Sequence, residues 1–535
     1  MPGVVAGAER VGGAGLRIAF RADASTAIGT GHVMRCLALA RVLAAAGHRC
    51  RFIARDLPGN LNHRIAQEGH ALDVLPAPEG PAPVASAGDP PHAGWAGVGW
   101  ARDAAETAAL LAADPPDWLV VDHYAFDRRW EEAARPPGAR LAVIDDLADR
   151  PHAAELLVDQ NLGRRARDYD GLVPGDAVRL IGPSHALMRG EFATLRAAAL
   201  AARRARMGEN DGAPGRILVS MGGVDLPDAT GAALRALGAA AGLRGARVTV
   251  VMGGGASALA AVRVAAAALP MPCEVTVDSR DMAALMARAD LAIGGAGVTA
   301  WERCTLGLPA VTVTMAANQA ATAAALETAG ASVSAGEAGE GLEARLEAAL
   351  RRLVPPDARA LAAEAAAAIC DGAGAGRVAA VLALPPIALR AATMADAEAV
   401  WSWRRAVAQR FFRAGETPPL VDHLEWFARA LGDPGRQLLI AVGAEGEVVG
   451  HLRLDRDPKR AGTAALSILV DPASRGRGIG RAMLLAADGA ARAAGLTRIE
   501  AEVHEDNGPS LAAFRAIGYE EEGTSGDYVR MLRRL

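Results

Sequence analysis

Short apolar runs alternate with longer amphipathic stretches along most of this chain. From Leu16 the run LRIAFRAD reads as a strand, Ala27 to Gly31 as a glycine-containing turn, and His32 to about Ala46 as a helix, with a second strand over Arg49 to Ala54. That strand, helix, strand rhythm predicts a parallel α/β sheet. WLVVDHY and LAVIDDL each end a buried apolar run in acidic residues, where open parallel sheets place ligand contacts. The Pro/Gly-rich stretch from Pro76 to Trp100 predicts a surface loop. The rhythm restarts at Arg216 with RILVSMGG and continues through RVTVVMGGG, ADLAIGGAG and LPAVTVTM, which predicts a second Rossmann-like domain. The charged, alanine-rich segment from Arg196 to Gly215 ends in ENDGAPG and reads as the connector.

A second linker surrounds Leu384 to Pro386, and after it the pattern changes. LRAATMADAEAVWSWRR reads as strand then helix and QLLIAVGAEGEVVGHLRLD as an antiparallel hairpin, so a separate α+β domain is expected. The predicted organisation is a disordered tail over 1–15, Rossmann-like domains over 16–200 and 201–384, and the α+β domain over 385–535.

Composition narrows the function classes. The 535 residues exceed what one hydrophobic core usually supports. A formal net charge of -4 and a pI near 6.3 give no basic excess of the kind nucleic acid attracts, so small-molecule partners are expected. The five cysteines, Cys36, Cys50, Cys273, Cys304 and Cys370, are scattered singly, with no C-x-x-C pair and no metal-like clustering with histidine. That predicts a reducing, cytoplasmic setting and no metal. The N-terminal residues lack a signal-like apolar stretch, and no later run reaches roughly 18 uninterrupted apolar residues, so no membrane partner is expected.

In IGTGHVMR, Ile28 to Arg35, Gly29 and Gly31 place a turn between strand and helix, with His32 at the helix start. Such a turn lets backbone approach a ligand and offers amides to an anion; alone, it serves a tight structural turn equally well. In the second half Gly295, Ala296, Gly297 and Val298 precede a helix bearing Glu302, an arrangement in which a diphosphate meets the helix start while the carboxylate reaches ribose hydroxyls. Asp145 and Asp146 look like a paired acid and base. Neighbours at a strand end point to opposite faces, however, so both cannot flank one bond. Asp23 is a strand-end carboxylate that either holds substrate or ties down its turn. Cys304 reads as core, and His63, His70 and His152 receive no role.

Through IAFRADASTAIGTGHVMRCLALA, VVDHYAFDRRWE, VIDDLADRPH, LLVDQNL, VSMGG and GGAGVTAWERCTLGLPAVTV, the region from Leu16 to Ala380 resembles nucleotide-sugar enzymes of the GT-B architecture. Within them it is most similar to the UDP-sugar hydrolases of pseudaminic acid biosynthesis. The resemblance implies attack by water at the anomeric carbon of a UDP-diacetamido-trideoxyhexose, with loss of UDP and no metal. It implies His32 as the catalytic histidine, a role that suits an imidazole because it is partly neutral near neutral pH. It also implies Tyr124 and Asn318 as polar residues of the sugar pocket and Gly222 and Gly223 on the diphosphate side, while Asp23, Gly29, Gly31 and Arg35 are kept as candidate substrate contacts.

In the last domain LSILVDPASRGRGIGRAMLLAA carries Arg475, Gly476, Arg477, Gly478, Ile479 and Gly480 from a strand into a helix, and IEAEVHEDNGPSLAAFRAIGY follows with Asn507. Together these resemble the GNAT family of N-acetyltransferases over Ile387 to Leu535. The resemblance implies acetyl-CoA as co-substrate, its pyrophosphate cradled by the glycine loop. Where many members carry a tyrosine that protonates the departing thiolate, this chain has Phe514, which cannot donate a proton. Glu502 and His504 on the preceding strand are the candidate bases. Trp403 and Trp426 read as core. WSWRR and HLEWF are similar to the pathway's UDP-4-amino-sugar acetyltransferase. Other readings fit the same residues: a glycosyltransferase with an acceptor other than water, an enzyme for legionaminic-type sugars, or one domain that binds its ligand without catalysis. Oligomeric state is not legible.

Overall fold

A computed structural model describes residues 15–80, 85–207, 213–222, 225 and 228–407 together with 417–535. All of the expected tail over 1–15 but its last residue, and most of ENDGAPG, lie outside the described residues, as does Gly223. The chain divides into two compact units. One takes in the described residues of Met1–Ala153, Leu157–Arg165 and Leu180–Val378, and the other Ala154–Leu156, Ala166–Arg179 and Ala379–Leu535.

The first sheet contains β1 (Arg17–Ala22), β2 (Arg49–Arg55), β3 (Ala71–Leu75), β4 (Trp118–Asp122), β5 (Arg140–Ile144), β6 (Leu156–Asp159) and β7 (Val178–Ile181). Its order is β3-β2-β1-β4-β5-β6-β7, and β1 pairs in parallel with both β2 and β4. Strand order therefore reverses between β1 and β4, which opens a crevice at their carboxyl ends. β4 is fully buried and β1 is buried after Arg17, as expected of sheets covered by helices on both faces.

The second sheet repeats the plan with β8 (Arg216–Ser220), β9 (Arg247–Met252), β10 (Cys273–Val277), β11 (Leu291–Gly295), β12 (Ala310–Thr314) and β13 (Ser332–Glu337), ordered β10-β9-β8-β11-β12-β13. Its switch point falls between β8 and β11, where the glycine segments stand. Its core joins Val219, Val250, Ile293 and Val313 to Leu234, Leu237, Leu346 and Leu350 of the covering helices. Judged by mean hydropathy rather than by unbroken apolarity, Pro356–Leu382 is long and apolar enough to cross a membrane (27 residues, 1.4). The fold breaks it into helices Pro356–Ile369 and Gly374–Leu382 and buries 44% of its most apolar window.

The third sheet is mixed: β14 (Ala388–Ala391), β15 (Arg436–Val442), β16 (Val448–Arg456), β17 (Thr463–Val470), β18 (Arg498–His504), β19 (Glu520–Ser525) and β20 (Tyr528–Arg534), ordered β14-β15-β16-β17-β18-β20-β19. β15 and β16 form the expected hairpin. β17 and β18 run parallel and pair only from Thr463↔Arg498 to Ala465↔Glu500, beyond which no pairing joins them. The architecture is thus two Rossmann-like domains and a mixed α+β domain.

Candidate active sites

The register Ala22↔Asp122 sets the end of β4 beside the end of β1, and the glycine turn carries the chain from β1 to the helix Gly31–Ala45. His32, in the first turn of that helix, directs Nδ1 at Asp122 Oδ1, 2.5 Å away. Arg35, one turn on, donates to both Asp122 oxygens at 2.6 Å and to Asp146 Oδ2 at 2.5 Å. Tyr124 donates its hydroxyl to the same Asp146 oxygen at 2.5 Å, and its ring meets His32 edge-on at 4.5 Å.

Burial alone would raise the Asp122 carboxyl, but the Arg35 guanidinium and the His32 ring hold it well below the usual carboxylate range. A carboxylate only accepts hydrogen bonds, so its partner Nδ1 carries a proton, and in the neutral ring the lone pair lies on Nε2. Burial and the neighbouring Asp146 push the Tyr124 phenol well above its ordinary range, so Tyr124 acts here as a donor.

Two residues expected among the substrate contacts take other places. Asp23 is fully buried and accepts from Arg21 Nη1 at 2.7 Å and from the Arg55 amide at 2.7 Å, with His123 Nε2 at 3.3 Å from its other oxygen. It ties β1 to β2 rather than facing a ligand. Arg35 is buried behind His32, where it orients two carboxylates. Asp145 and Asp146 diverge as expected. Asp145 takes Arg150 at 2.8 Å and the amides of Leu147 and Ala148, while Asp146 faces Arg35 and Tyr124.

The glycine loop of the second domain lies opposite. A Cβ built on Gly31 would meet the Val298 side chain at 3.6 Å, and Thr322 Oγ1 donates to Asn161 Oδ1 at 3.3 Å across the same junction. Within the loop the roles divide. The Ala296 amide donates to the Val313 carbonyl at 3.2 Å and so belongs to the sheet. Gly295 is buried, and a side chain there would press on the Met221 carbonyl and on Met315, each at 3.3 Å.

Gly297 and Val298 are partly exposed at the start of the helix Thr299–Thr305, which has no side-chain cap. Gly222 is exposed just beyond β8. Glu302 is largely buried, 3.5 Å from Arg189, and burial outweighs that cation to push its carboxyl up to about 7. Asn318 is exposed in the turn Ala317–Gln319 after β12. Its neighbour Gln319, not singled out by sequence, packs beside Gly297 and holds the Met315 amide at 3.2 Å. Cys304 is core, its thiol pushed by burial up to about 12.

In the last domain a cavity of about 980 Å³ opens where β17 and β18 part, within the size range of small-molecule sites. Arg475, Gly476, Gly478, Ile479 and Gly480 line one wall and Asn507 another, with Glu502, His504 and Phe514 also on the lining. Gly476 and Gly478 have φ of 76° and 81°, a left-handed turn that side-chain-bearing residues resist, and a Cβ on Gly476 would meet nothing within 4 Å. An open backbone cradle at the foot of the helix Ile479–Ala493 fits a pyrophosphate.

Arg477, expected on this surface, is exposed and absent from the lining, which instead takes Arg481. Asn507 caps the helix Gly508–Ala516 by accepting from the Ser510 amide at 3.3 Å. His504 and Tyr528 lie opposite each other on β18 and β20, their rings edge-on at 5.2 Å. Trp403 is buried with Val400 and Phe427, and Trp426 packs against that cluster.

Residues 400–519 match the acetyltransferase (GNAT) family, and residues 239–378 match the glycosyltransferase family 28 C-terminal domain. The L-amino acid N-acetyltransferase of Escherichia coli K12 is 34% identical over 119 residues, covering 21% of this chain and 70% of its own length. The chain belongs, through its last domain, to the GNAT acetyltransferase family. The aminoglycoside N(6')-acetyltransferase type 1 of Stenotrophomonas maltophilia is 33% identical to this GNAT region over 141 residues, 25% of this chain and 86% of its own length. The UDP-2,4-diacetamido-2,4,6-trideoxy-beta-L-altropyranose hydrolase of Campylobacter jejuni is 26% identical over 178 residues, 33% of this chain and 53% of its own length. The chain therefore spans about half of that hydrolase. Beside its GNAT domain it carries a glycosyltransferase-like domain. Among the described residues no group of three or more His, Cys, Asp or Glu side chains is arranged to hold a metal ion.

Proposed function

We propose that the chain is a bifunctional nucleotide-sugar enzyme of pseudaminic acid biosynthesis, acting in the cytoplasm. Its first unit hydrolyses a UDP-diacetamido-trideoxyhexose to free sugar and UDP. Its GNAT domain transfers an acetyl group from acetyl-CoA to the 4-amino group of the UDP-sugar precursor. The observation that carries the hydrolase reading is the buried Asp122–His32 pair at one switch point, facing the glycine loop at the other.

Asp122 fixes the His32 tautomer, so Nε2 takes a proton from water as the oxygen attacks the anomeric carbon and the bond to UDP breaks. Asp122 then stabilises the imidazolium. The exposed amides at Gly297 and Val298 serve the departing diphosphate, and Glu302 serves the ribose. In the GNAT domain acetyl-CoA supplies the activated acetyl group. Arg475, Arg481 and the loop of Gly476 to Gly480 hold its pyrophosphate, while Glu502 and His504 stand on the strand that borders the reacting carbonyl.

The match to a glycosyltransferase C-terminal domain favours a second reading, in which the first unit transfers the sugar to an acceptor other than water. Mass spectrometry of products from a panel of UDP-amino-sugars, with and without acetyl-CoA, separates the two. Free sugar plus UDP without any acceptor is expected. UDP release that depends on an added acceptor would establish the glycosyltransferase instead.

A further inference from the structure

The segment before the helix Trp100–Ala113 has a sharper role than a surface loop. It folds into the short turn Ala93–Ala96 closed by Gly97 at φ 73°, where a Cβ would fall 2.5 Å from Pro78. The turn holds His92 and Trp95 against each other, with ring centres at 4.4 Å. Both then reach Tyr124. The Trp95 ring lies 5.7 Å from it at an interplanar angle of 26°, and the His92 ring also lies at 5.7 Å. Tyr124 in turn meets His32 at 4.5 Å, so one continuous set of rings runs from the loop to the imidazole that activates water. Tyr124 is buried beneath, whereas His92 and Trp95 keep part of their surface open.

Resting on the hydrolase reading above, we propose that His92 and Trp95 form with Tyr124 an aromatic wall for the sugar ring. The wall selects hexoses bearing methyl and N-acetyl groups over hydroxylated ones. An aromatic face receives C–H and methyl groups well, but a hydroxyl pressed on it loses water without gaining a partner. The groups around His92 support a neutral ring there. Burial lowers its basicity most; Asp149 opposes this, while Arg150 and His32 add to it.

The test is calorimetry in a His32→Asn background, which keeps the bound sugar intact, using UDP, UDP-glucose and a UDP-diacetamido-trideoxyhexose. The parent should prefer the diacetamido sugar to UDP-glucose. Trp95→Ala should shrink that preference roughly five- to tenfold, the scale of a lost aromatic contact, with UDP affinity unchanged. Trp95→Phe should keep most of the preference, and His92→Ala should lose part of it; these two decide the matter if Trp95→Ala does not fold. A preference absent in the parent, or unmoved by these changes, overturns the wall. Failure of the hydrolase reading shows separately, as intact preference with no UDP release from the His32 enzyme. Absence of binding by all three ligands sinks both.

Discussion

Replacing Asp122 by asparagine tests the site at its centre. The carboxylate receives two bonds from Arg35 at 2.6 Å and one from His32 at 2.5 Å, all in full burial. An amide of the same shape keeps one acceptor and turns a donor on the other partners, so at least one charge-assisted bond is lost, each worth about 1.5–3 kcal/mol. Arg35 retains Asp146, which limits the damage to a stability loss of about 3 kcal/mol.

The effect on rate is larger. An amide N–H aimed at Nδ1 favours the proton on Nε2, the tautomer that cannot accept from water, and UDP release should fall by about 10² to 10⁴. The pH dependence has a definite sign. Because Asp122 is held below its ordinary range in the folded state, its contribution is present above about pH 4, the unfolded carboxyl value, and is lost as pH falls further. Urea melts of wild type and Asp122→Asn should therefore differ at pH 7 and converge in acid, alongside a UDP-release assay. Turnover within threefold of wild type would refute the tautomer argument, and a stability gap that persists in acid would refute the charge argument.

Three further outcomes are expected. Since burial raises Glu302 to about 7, above the unfolded carboxyl value of about 4.3, stability is lost as pH rises from that lower value to about 7 and stays lost above it; Glu302→Gln should gain about 2 kcal/mol over wild type at pH 8.5 in chemical denaturation, nearly nothing at about pH 3.5, and lose UDP affinity at pH 8.5 by calorimetry. Arg475→Glu and Arg481→Glu should each raise the acetyl-CoA KM by about tenfold or more, and Arg477→Glu much less, in a thiol-release assay, because only the first two line the cavity. Gly294→Ala would set a Cβ 2.6 Å from the Ser220 carbonyl and 2.8 Å from Arg303, and should destabilise the second domain by about 2 kcal/mol or more in a thermal melt.

Fully buried strands announce themselves as apolar runs, and β1, β4, β8, β9, β11 and β12 were legible for that reason. The sheet edges were not. In β3 and β10 most positions are only partly buried, so ALDVL and CEVTV carry polar residues that blur any run. The glycine turn that carries His32 was legible because a turn into a helix needs no distant partner, whereas the histidine's role rested on the family resemblance. The importance of Asp122 was not, since its tie to His32 spans 90 residues and exists only through the register of β1 with β4. The same holds for Asp146 and Trp95, which matter by where packing brings them. For Asp23, read as holding substrate or tying down its turn, the fold realises the tie, and Arg35, expected as a contact, is spent on orienting two carboxylates.

The glycine loop of the second domain shows how one motif divides between two roles. Four small residues in a row, Gly294 to Gly297, satisfy two unrelated demands. Gly294 and Gly295 are small because β11 must pass close to the Ser220 and Met221 carbonyls and leave room for the Arg303 side chain, which donates to the Gly295 carbonyl at 2.7 Å. Ala296 still pairs with β12, so the sheet reaches one residue further than the apolar run suggests. Only from Gly297 does the backbone turn outward, and there its amides become available to a ligand. The structural reading thus holds for Gly294 to Ala296, the proposed ligand-binding reading is left to Gly297 and Val298, and the division falls where the last sheet hydrogen bond is made. Glu302 follows from this geometry. One turn into the helix, it stands between buried Trp301 and Arg303, near the loop yet largely dry, with Arg189 at 3.5 Å; under the proposed reading a ribose's hydroxyl donors would offset that burial.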